Sequence, residues 1–362
     1  MSAWLNDAAA AWAAWMLPMA WQVGLVVLLV AGADLVLRRW AWPQLRSALW
    51  LLVLVKLSLP PTLASPVAIA PLGEETSALA ASESAALSGT AWLAIAWLVP
   101  ALIFAFIWVV RYRCASRALR ARGETPATLL EMRDRAAQRL GLRRKPAVLL
   151  SRRVRCPAVM GILRPTVLVP VDFFESMSHE DLEHVLLHEL AHVKRGDLIV
   201  QALFSAAQLL YWFHPLLWLA RRRAYDLREL CCDATVAAAL KDKTRAYRRT
   251  LLRTAARLLP QGGLAGAGFI SGPSAILSRL HWLEKESWRR PGLRRFATAA
   301  VVLATSACVL PMARPAQKTL EKRLVEARAT ARKALEGESC LQLRYAVLYL
   351  NNLQDKADAV KR

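Results

Sequence analysis

Five consecutive residues have the types and spacing to do chemistry: His188-Glu189-Leu190-Ala191-His192. On a helix, positions four apart lie one turn above each other. The two imidazoles can therefore act as two ligands of one metal ion, and zinc suits such donors. Glu189 follows the first histidine, where a carboxylate can take a proton from a metal-bound water and later return it to a leaving amine. A hydrolytic zinc ion needs a third protein ligand and one open position. Glu229 is the best candidate, in the run Asp226-Leu227-Arg228-Glu229-Leu230-Cys231-Cys232-Asp233. Asp233 shares a helix face with Glu229 and is placed to orient a ligand histidine from behind. His214, between Phe213 and Pro215, reads as a hydrogen-bonded core histidine. Cys231 and Cys232 are softer rivals whose adjacent side chains point to different faces.

The elements around these residues follow from local signals. Ser178 is a suitable cap for a helix over 179–195. Glu180, Asp181 and Glu183 fall in its first turns, Lys194 and Arg195 at its end, and Gly196 stops it. Upstream, Pro126 opens a helix reaching about residue 140, followed by extended runs at 147–151, 157–160 and 165–169. Gly161 and Pro165 mark a hairpin-like turn between the last two. The apolar stretch 198–220 is long enough to cross a bilayer. If it crossed, Glu229 and the two histidines would lie on opposite sides and could not share an ion. The zinc assignment therefore requires the chain to turn back near Phe213-His214-Pro215.

The chain has 362 residues, 56 % of them hydrophobic, with a net charge of +22 and a mean hydropathy of +0.28. Such a composition excludes a disordered protein and argues against an ordinary soluble enzyme. Apolar spans alternating with basic loops explain it. The six cysteines include no CxxC pair, which fits a reducing compartment for most of the chain. Four transmembrane helices are expected, at about 17–37, 48–69, 91–110 and 296–312. Residues 1–16, with Trp4, Trp12 and Trp15, suit a separate interfacial helix. Asp34 and Lys56 are candidates to pair across the first two spans; otherwise each sits near an interface.

Loop charges set the orientation. Arg38, Arg39 and Arg46 follow span one, Glu74, Glu75 and Glu83 follow span two, and a basic run begins at Arg111 after span three. The N-terminus is then outside, 111–295 is a cytoplasmic domain, and the tail 313–362, read as two amphipathic helices, is extracytoplasmic. Between 111 and 155 stand fourteen cations against three acids, with Tyr112 the one aromatic. That pattern favours anionic lipid headgroups over direct contact with nucleic acid.

HELAHVKRGD, the WFHP turn, the RELCCD segment and the stretch from Val159 to Pro170 together resemble the BlaR/MecR-type bacterial membrane zinc metallopeptidases over about residues 1–312. The resemblance implies a mainly α integral membrane protein of four transmembrane helices. A gluzincin-type α+β zinc-protease domain would be inserted between the third and fourth. It implies His188, His192 and Glu229 as Zn2+ ligands and Glu189 as the catalytic glutamate. It further implies an edge strand, Pro157, Ala158, Val159, Met160 and Gly161, that pairs with substrate backbone. Members that sense beta-lactams carry an external penicillin-binding domain with a Ser-x-x-Lys nucleophile. No Ser-x-x-Lys occurs here, so beta-lactam capture by this sequence is not expected.

The expected activity is an endopeptidase of the bacterial inner membrane with a cytoplasm-facing site. Its substrate would be a repressor-like regulator or the chain itself, cut in response to an envelope signal. The alternatives are a quality-control protease of HtpX-like type, or a non-catalytic membrane receptor or scaffold retaining the zinc site. The expected partners are a protein substrate and the lipid bilayer, and the sequence leaves a homodimer open.

Overall fold

The computed structural model describes residues 2–38, 42–61, 87–120, 125–258 and 273–284. The predicted fourth span and tail, and the acidic loop with the end of the predicted second span, lie outside these residues. The described part is mostly helical with one small sheet.

Helix α1 (Ser2–Leu37) is continuous through Pro18. At 1.5 Å per residue it is about 54 Å long. The separate interfacial helix expected over 1–16 is thus replaced by one rod. Its Ala-rich start has high helix propensity, and Met16 and Met19 are buried on either side of the proline. Helix α2 (Pro43–Ser58) starts on a proline at its first position and stops ahead of Pro60-Pro61. It is therefore displaced from the expected 48–69. Helix α3 (Gly89–Arg120) exposes a long row of large apolar side chains, Leu93, Leu102, Phe106 and Val109 among them. Among the described residues, two stretches are long and apolar enough to cross a membrane, α1 and Gly89–Cys114 of α3.

Of the two readings for Asp34, the structure shows it near the end of α1 and paired with Arg46. Arg46 lies at the start of α2, just after the connection from α1. Lys56 is ten residues further, about 15 Å along the helix.

The apolar stretch after the histidine motif turns back as expected. Helix α7 (Asp197–Leu210) and helix α8 (Pro215–Leu240) enclose a tight turn. His214 holds this turn: its Nε2–H donates to the Ala20 carbonyl at 2.9 Å and its Nδ1 accepts from the Leu217 N–H at 3.3 Å. Indole groups fasten it to α3, with Trp97 donating to the Leu210 carbonyl at 2.8 Å and Trp212 to the Trp97 carbonyl at 3.2 Å. Ala20 is fourteen residues before Asp34, about 21 Å along α1. Glu229 is likewise about 21 Å along α8 from Pro215. Helix α2 packs along α8, with Ser47 near its start beside Cys231, so Glu229 arrives at the level where α1 ends and α2 begins.

The remaining elements form the body that holds the histidines. Helix α4 (Ala127–Leu140) ends on Gly141 in the left-handed region. Strands β1 (Ala147–Ser151), β2 (Ala158–Met160) and β3 (Thr166–Pro170) form a sheet in the order β1-β3-β2, parallel between β1 and β3 and antiparallel between β3 and β2. Each strand lies within a residue of its expected position. A short helix α5 (Val171–Ser176) leads to α6 (His179–Arg195), then α9 (Thr244–Leu258) and α10 (Pro273–Glu284) follow α8. Ser178 caps α6 by accepting from the Asp181 N–H at 3.1 Å, and Gly196 ends it at φ 71°.

Two buried apolar clusters result. One gathers α1, α2, α7 and the first half of α8, around Val23, Trp50, Phe204 and Leu217. The other gathers α4, the sheet, α6, the second half of α8, α9 and α10, around Val167, Leu186, Leu190 and Val236. Helix α8 belongs to both.

Candidate metal centre

Helix α6 places His188 and His192 one turn apart, with ring centroids 5.0 Å apart and planes at 87°. Glu229 comes from α8, which crosses α6. Its Oε2 lies 3.2 Å from His188 Nε2 and its Oε1 3.8 Å from His192 Nε2. All three donors fall within 4.8 Å of one another. Ligands on a tetrahedral zinc ion at ordinary bond lengths are about 3.4 Å apart. The donor set and its spacing therefore fit such an ion.

The outer ring nitrogens are both engaged, which leaves the Nε2 atoms for the centre. His188 Nδ1 faces the Tyr247 hydroxyl at 3.0 Å and Asp233 Oδ1 at 3.3 Å. Tyr247 in turn donates to Asp233 at 2.7 Å. His192 Nδ1 donates to Asp197 Oδ2 at 2.9 Å. Carboxylates behind ligand imidazoles fix the tautomer and strengthen the donor. A second group, His192, Asp197 and Cys232, also has ligand-type atoms close together. It is a closed triangle, with the Cys232 thiol donating to Asp197 at 3.2 Å and all three residues buried. Burial and the Asp197 charge push that thiol well above its ordinary value, so it remains protonated. This triangle braces His192.

The centre's charges are buried but matched. Burial alone would lower the His188 pKa, but its hydrogen bonds to the Asp233 and Glu229 carboxylates overcome it and raise it to about 9. Burial would raise Glu229, yet the His188 hydrogen bond and the charges of His192 and Arg279 hold it well below its usual range. Arg228 donates to Glu229 Oε1 at 2.8 Å and to Gln201 of α7 at 3.1 Å while lying 4.0 Å above the Tyr225 ring. Arg279 donates to both Asp233 oxygens, at 2.7 and 2.8 Å.

Glu189 is half-buried beside this group. Strand β2 packs against α6 and is the last strand of the sheet, with its outer edge unpaired by any described strand. Pro157 and Gly161 flank it. Burial raises the Cys156 thiol and the Glu189 charge raises it further, which places the entrance to β2 near Glu189. Gly161 has φ 92°, and a Cβ there would meet the Arg164 carbonyl oxygen at 2.6 Å. Only glycine fits this corner.

The structure thus brings His188, His192 and Glu229 together, sets Asp233 behind His188, and lays the edge strand against the helix of Glu189. Sequence reasoning missed Asp197, Tyr247 and Arg279. Asp197 had a signal, an acid directly after the stop of the histidine helix. Tyr247 and Arg279 arrive from distant helices with no local signature.

A family model described as BlaR1 peptidase M56 matches residues 14–283. The regulatory protein BlaR1 of Bacillus licheniformis is 35 % identical over 98 residues, covering 26 % of this chain and 16 % of that protein. The methicillin resistance mecR1 protein of Staphylococcus aureus is 32 % identical over 80 residues, covering 22 % of this chain and 14 % of that protein. The regulatory protein BlaR1 of Staphylococcus aureus is 24 % identical over 83 residues, covering 23 % and 14 %. The chain therefore matches a sixth or less of the length of these curated relatives.

Proposed function

The chain belongs to the BlaR1 peptidase M56 family, and from that premise we propose that it is a membrane-embedded zinc endopeptidase acting on a regulatory protein. The observation that carries this reading is the convergence of His188, His192 and Glu229 beside the half-buried Glu189. A purely structural zinc site has four protein ligands and no use for a base next to them.

His188, His192 and Glu229 would hold the Zn2+ ion, with Asp233 and Asp197 keeping the two imidazoles in the donor tautomer. When bound, the ion would supply Lewis acidity toward the scissile carbonyl and toward the attacking water. Glu189 takes the water's proton on a carboxylate oxygen and hands it to the departing amine. The free edge of β2 aligns an extended substrate segment by backbone hydrogen bonds, so that its scissile bond lies along α6.

The site faces the cytoplasm of a bacterial inner membrane in this reading, with the N-terminus and the tail outside. Arg38 and Arg46 support that orientation, because they stand at the end of α1 and start of α2 where Glu229 also lies. The predicted fourth span would return the chain across the bilayer after the protease domain. The substrate is a repressor-like regulator or the chain itself.

The test is terminal-peptide profiling of whole cells carrying wild type or Glu189→Ala. New termini on one or two cytoplasmic regulators, lost in the variant, are the expected result. Termini on dozens of membrane proteins would replace regulation with quality control. Wild type and variant giving the same termini under every envelope stress would remove the peptidase assignment.

A further inference from the structure

Helix α10 contributes one side chain to the centre, and it touches both carboxylates that matter. The Arg279 Nε donates to Asp233 Oδ2 at 2.7 Å and Nη2 to Asp233 Oδ1 at 2.8 Å, while Nη1 lies 3.5 Å from Glu229 Oε2. Asp233 is fully buried and faces His188 Nδ1; Glu229 faces His188 Nε2. One planar guanidinium thus sets the carboxylate behind His188 and the carboxylate in front of it. No described residue within α6 or α8 duplicates the two-pronged contact to Asp233.

Helix α10 also packs along α8 and α9. Leu283 is buried in the cluster around Leu186 and Val236, Trp282 packs on it, and Glu284 pairs with Arg248 of α9. Immediately after Glu284 the sequence runs through residues 285–295 toward the span expected at 296–312.

We propose that Arg279 is a positioning residue through which docking of α10 assembles the metal centre, so that zinc affinity and α10 docking are one coupled equilibrium. The proposal rests on the zinc-peptidase reading and adds to it an internal lever. With α10 docked, Asp233 and Glu229 are held apart and aligned, and His188 presents Nε2. With α10 displaced, two buried carboxylates lose their shared cation, and nothing holds Asp233 and Glu229 in register on the two sides of His188. Coupling of this kind is reciprocal: whatever docking does for zinc, zinc does for docking.

The experiment uses the full chain in detergent micelles, with Zn2+ titrated against a chromophoric chelator. Backbone hydrogen exchange of residues 273–284 is followed with Zn2+ and with chelator. In wild type, Zn2+ is expected to slow exchange in this segment several-fold. Arg279→Gln is expected to weaken Zn2+ binding roughly 10- to 100-fold, the usual cost of losing a partner behind the ligands. It should also abolish the zinc-dependent slowing and shift the visible absorption of the Co2+-substituted protein. Arg279→Lys should fall between, since an ammonium is a point charge that cannot grip both Asp233 oxygens at once.

If Arg279→Gln does not fold, Asp233→Asn/Arg279→Gln removes both charges and leaves none buried alone. It should fold and still bind Zn2+ weakly. Wild-type Zn2+ affinity in the folded variants, or exchange in 273–284 that ignores Zn2+, would overturn the proposal and leave the peptidase reading standing. Wild type that binds no stoichiometric Zn2+ would overturn the peptidase reading itself.

Discussion

The two halves of helix α8 live in opposite environments. Its first, lower half, from Pro215 to about Leu227, lies among α1, α2 and α7, where indole and imidazole groups donate to backbone carbonyls, Arg221 donates to Gln208, and the Asp34–Arg46 pair joins α1 to α2. Its second half lies among α6, α9 and α10, where Glu229 and Asp233 are buried within a web of arginine and histidine. Neutral hydrogen bonds suit an apolar surrounding, because an unpaired charge there is costly. Buried charges in the upper half are tolerable only while every partner is present. The lower half fixes the turn at His214 against α1 and α3, and the upper half carries buried charges that depend on one another. The helix joins them rigidly, so Glu229 stands at a fixed height above the turn at His214.

The contrast can be broken most severely in the upper half. Asp233→Ala leaves Arg279 and His188 facing an empty carboxylate position. Removing one partner of a buried ion pair costs about 3–5 kcal/mol, so the variant should unfold early in thermal melts monitored by circular dichroism. A melt within two degrees of wild type would show that the upper web is not a stability element.

Matched cavity substitutions come next. Leu190 and Leu217 are both fully buried, one in each cluster. Leu190→Ala should cost about 2–5 kcal/mol, as in ordinary cores. Leu217→Ala should cost less, because in an apolar surrounding only packing is lost and no transfer from water is involved. Equal losses, measured by denaturant titration in the same detergent, would argue that the lower cluster is not set in a membrane. A smaller effect, about 1 kcal/mol, is expected from Ser178→Ala, which removes the accepted N–H bond at the start of α6. Because that end is three turns from the metal ligands, zinc affinity should hardly change.

Short-range chemistry was legible in the sequence and long-range assembly was not. The ends of α6 were written in Ser178 and Gly196, and the strands in short apolar runs punctuated by Pro and Gly. The turn at His214 followed from logic rather than pattern, since the His188–His192–Glu229 set demanded that α8 return. Pairing of Asp34 with Lys56 and an interfacial Asp34 were both left open, because the sequence does not say where each charge falls along its helix; Arg46 is the partner found. Tyr247 and Arg279 were invisible for a similar reason. Their roles depend on how α9 and α10 pack on α8, and an arginine on an amphipathic helix reads as a solvated one.

The smallest and sharpest probe of the comparison is acid. His184, one turn before His188, is buried in the upper half, and its Nδ1 lies 2.8 Å from the Thr250 hydroxyl. That hydroxyl donates to Asp181 at 2.6 Å, so it accepts from the His184 Nδ1–H. Burial holds the His184 pKa below its ordinary 6.5, against the opposing charges of Glu180 and Asp181. A base whose folded pKa is depressed favours folding while it is neutral in both states. Its contribution is complete above about pH 6.5 and is lost as pH falls below that value, because the unfolded chain takes up the proton first. The upper half should therefore lose stability between pH 7 and pH 5, and His184→Gln should flatten that slope. Hydrogen exchange read separately on α6 and on α1 at both pH values gives the decisive comparison. Exchange that quickens equally in both helices would mean the two halves of the molecule unfold as one unit.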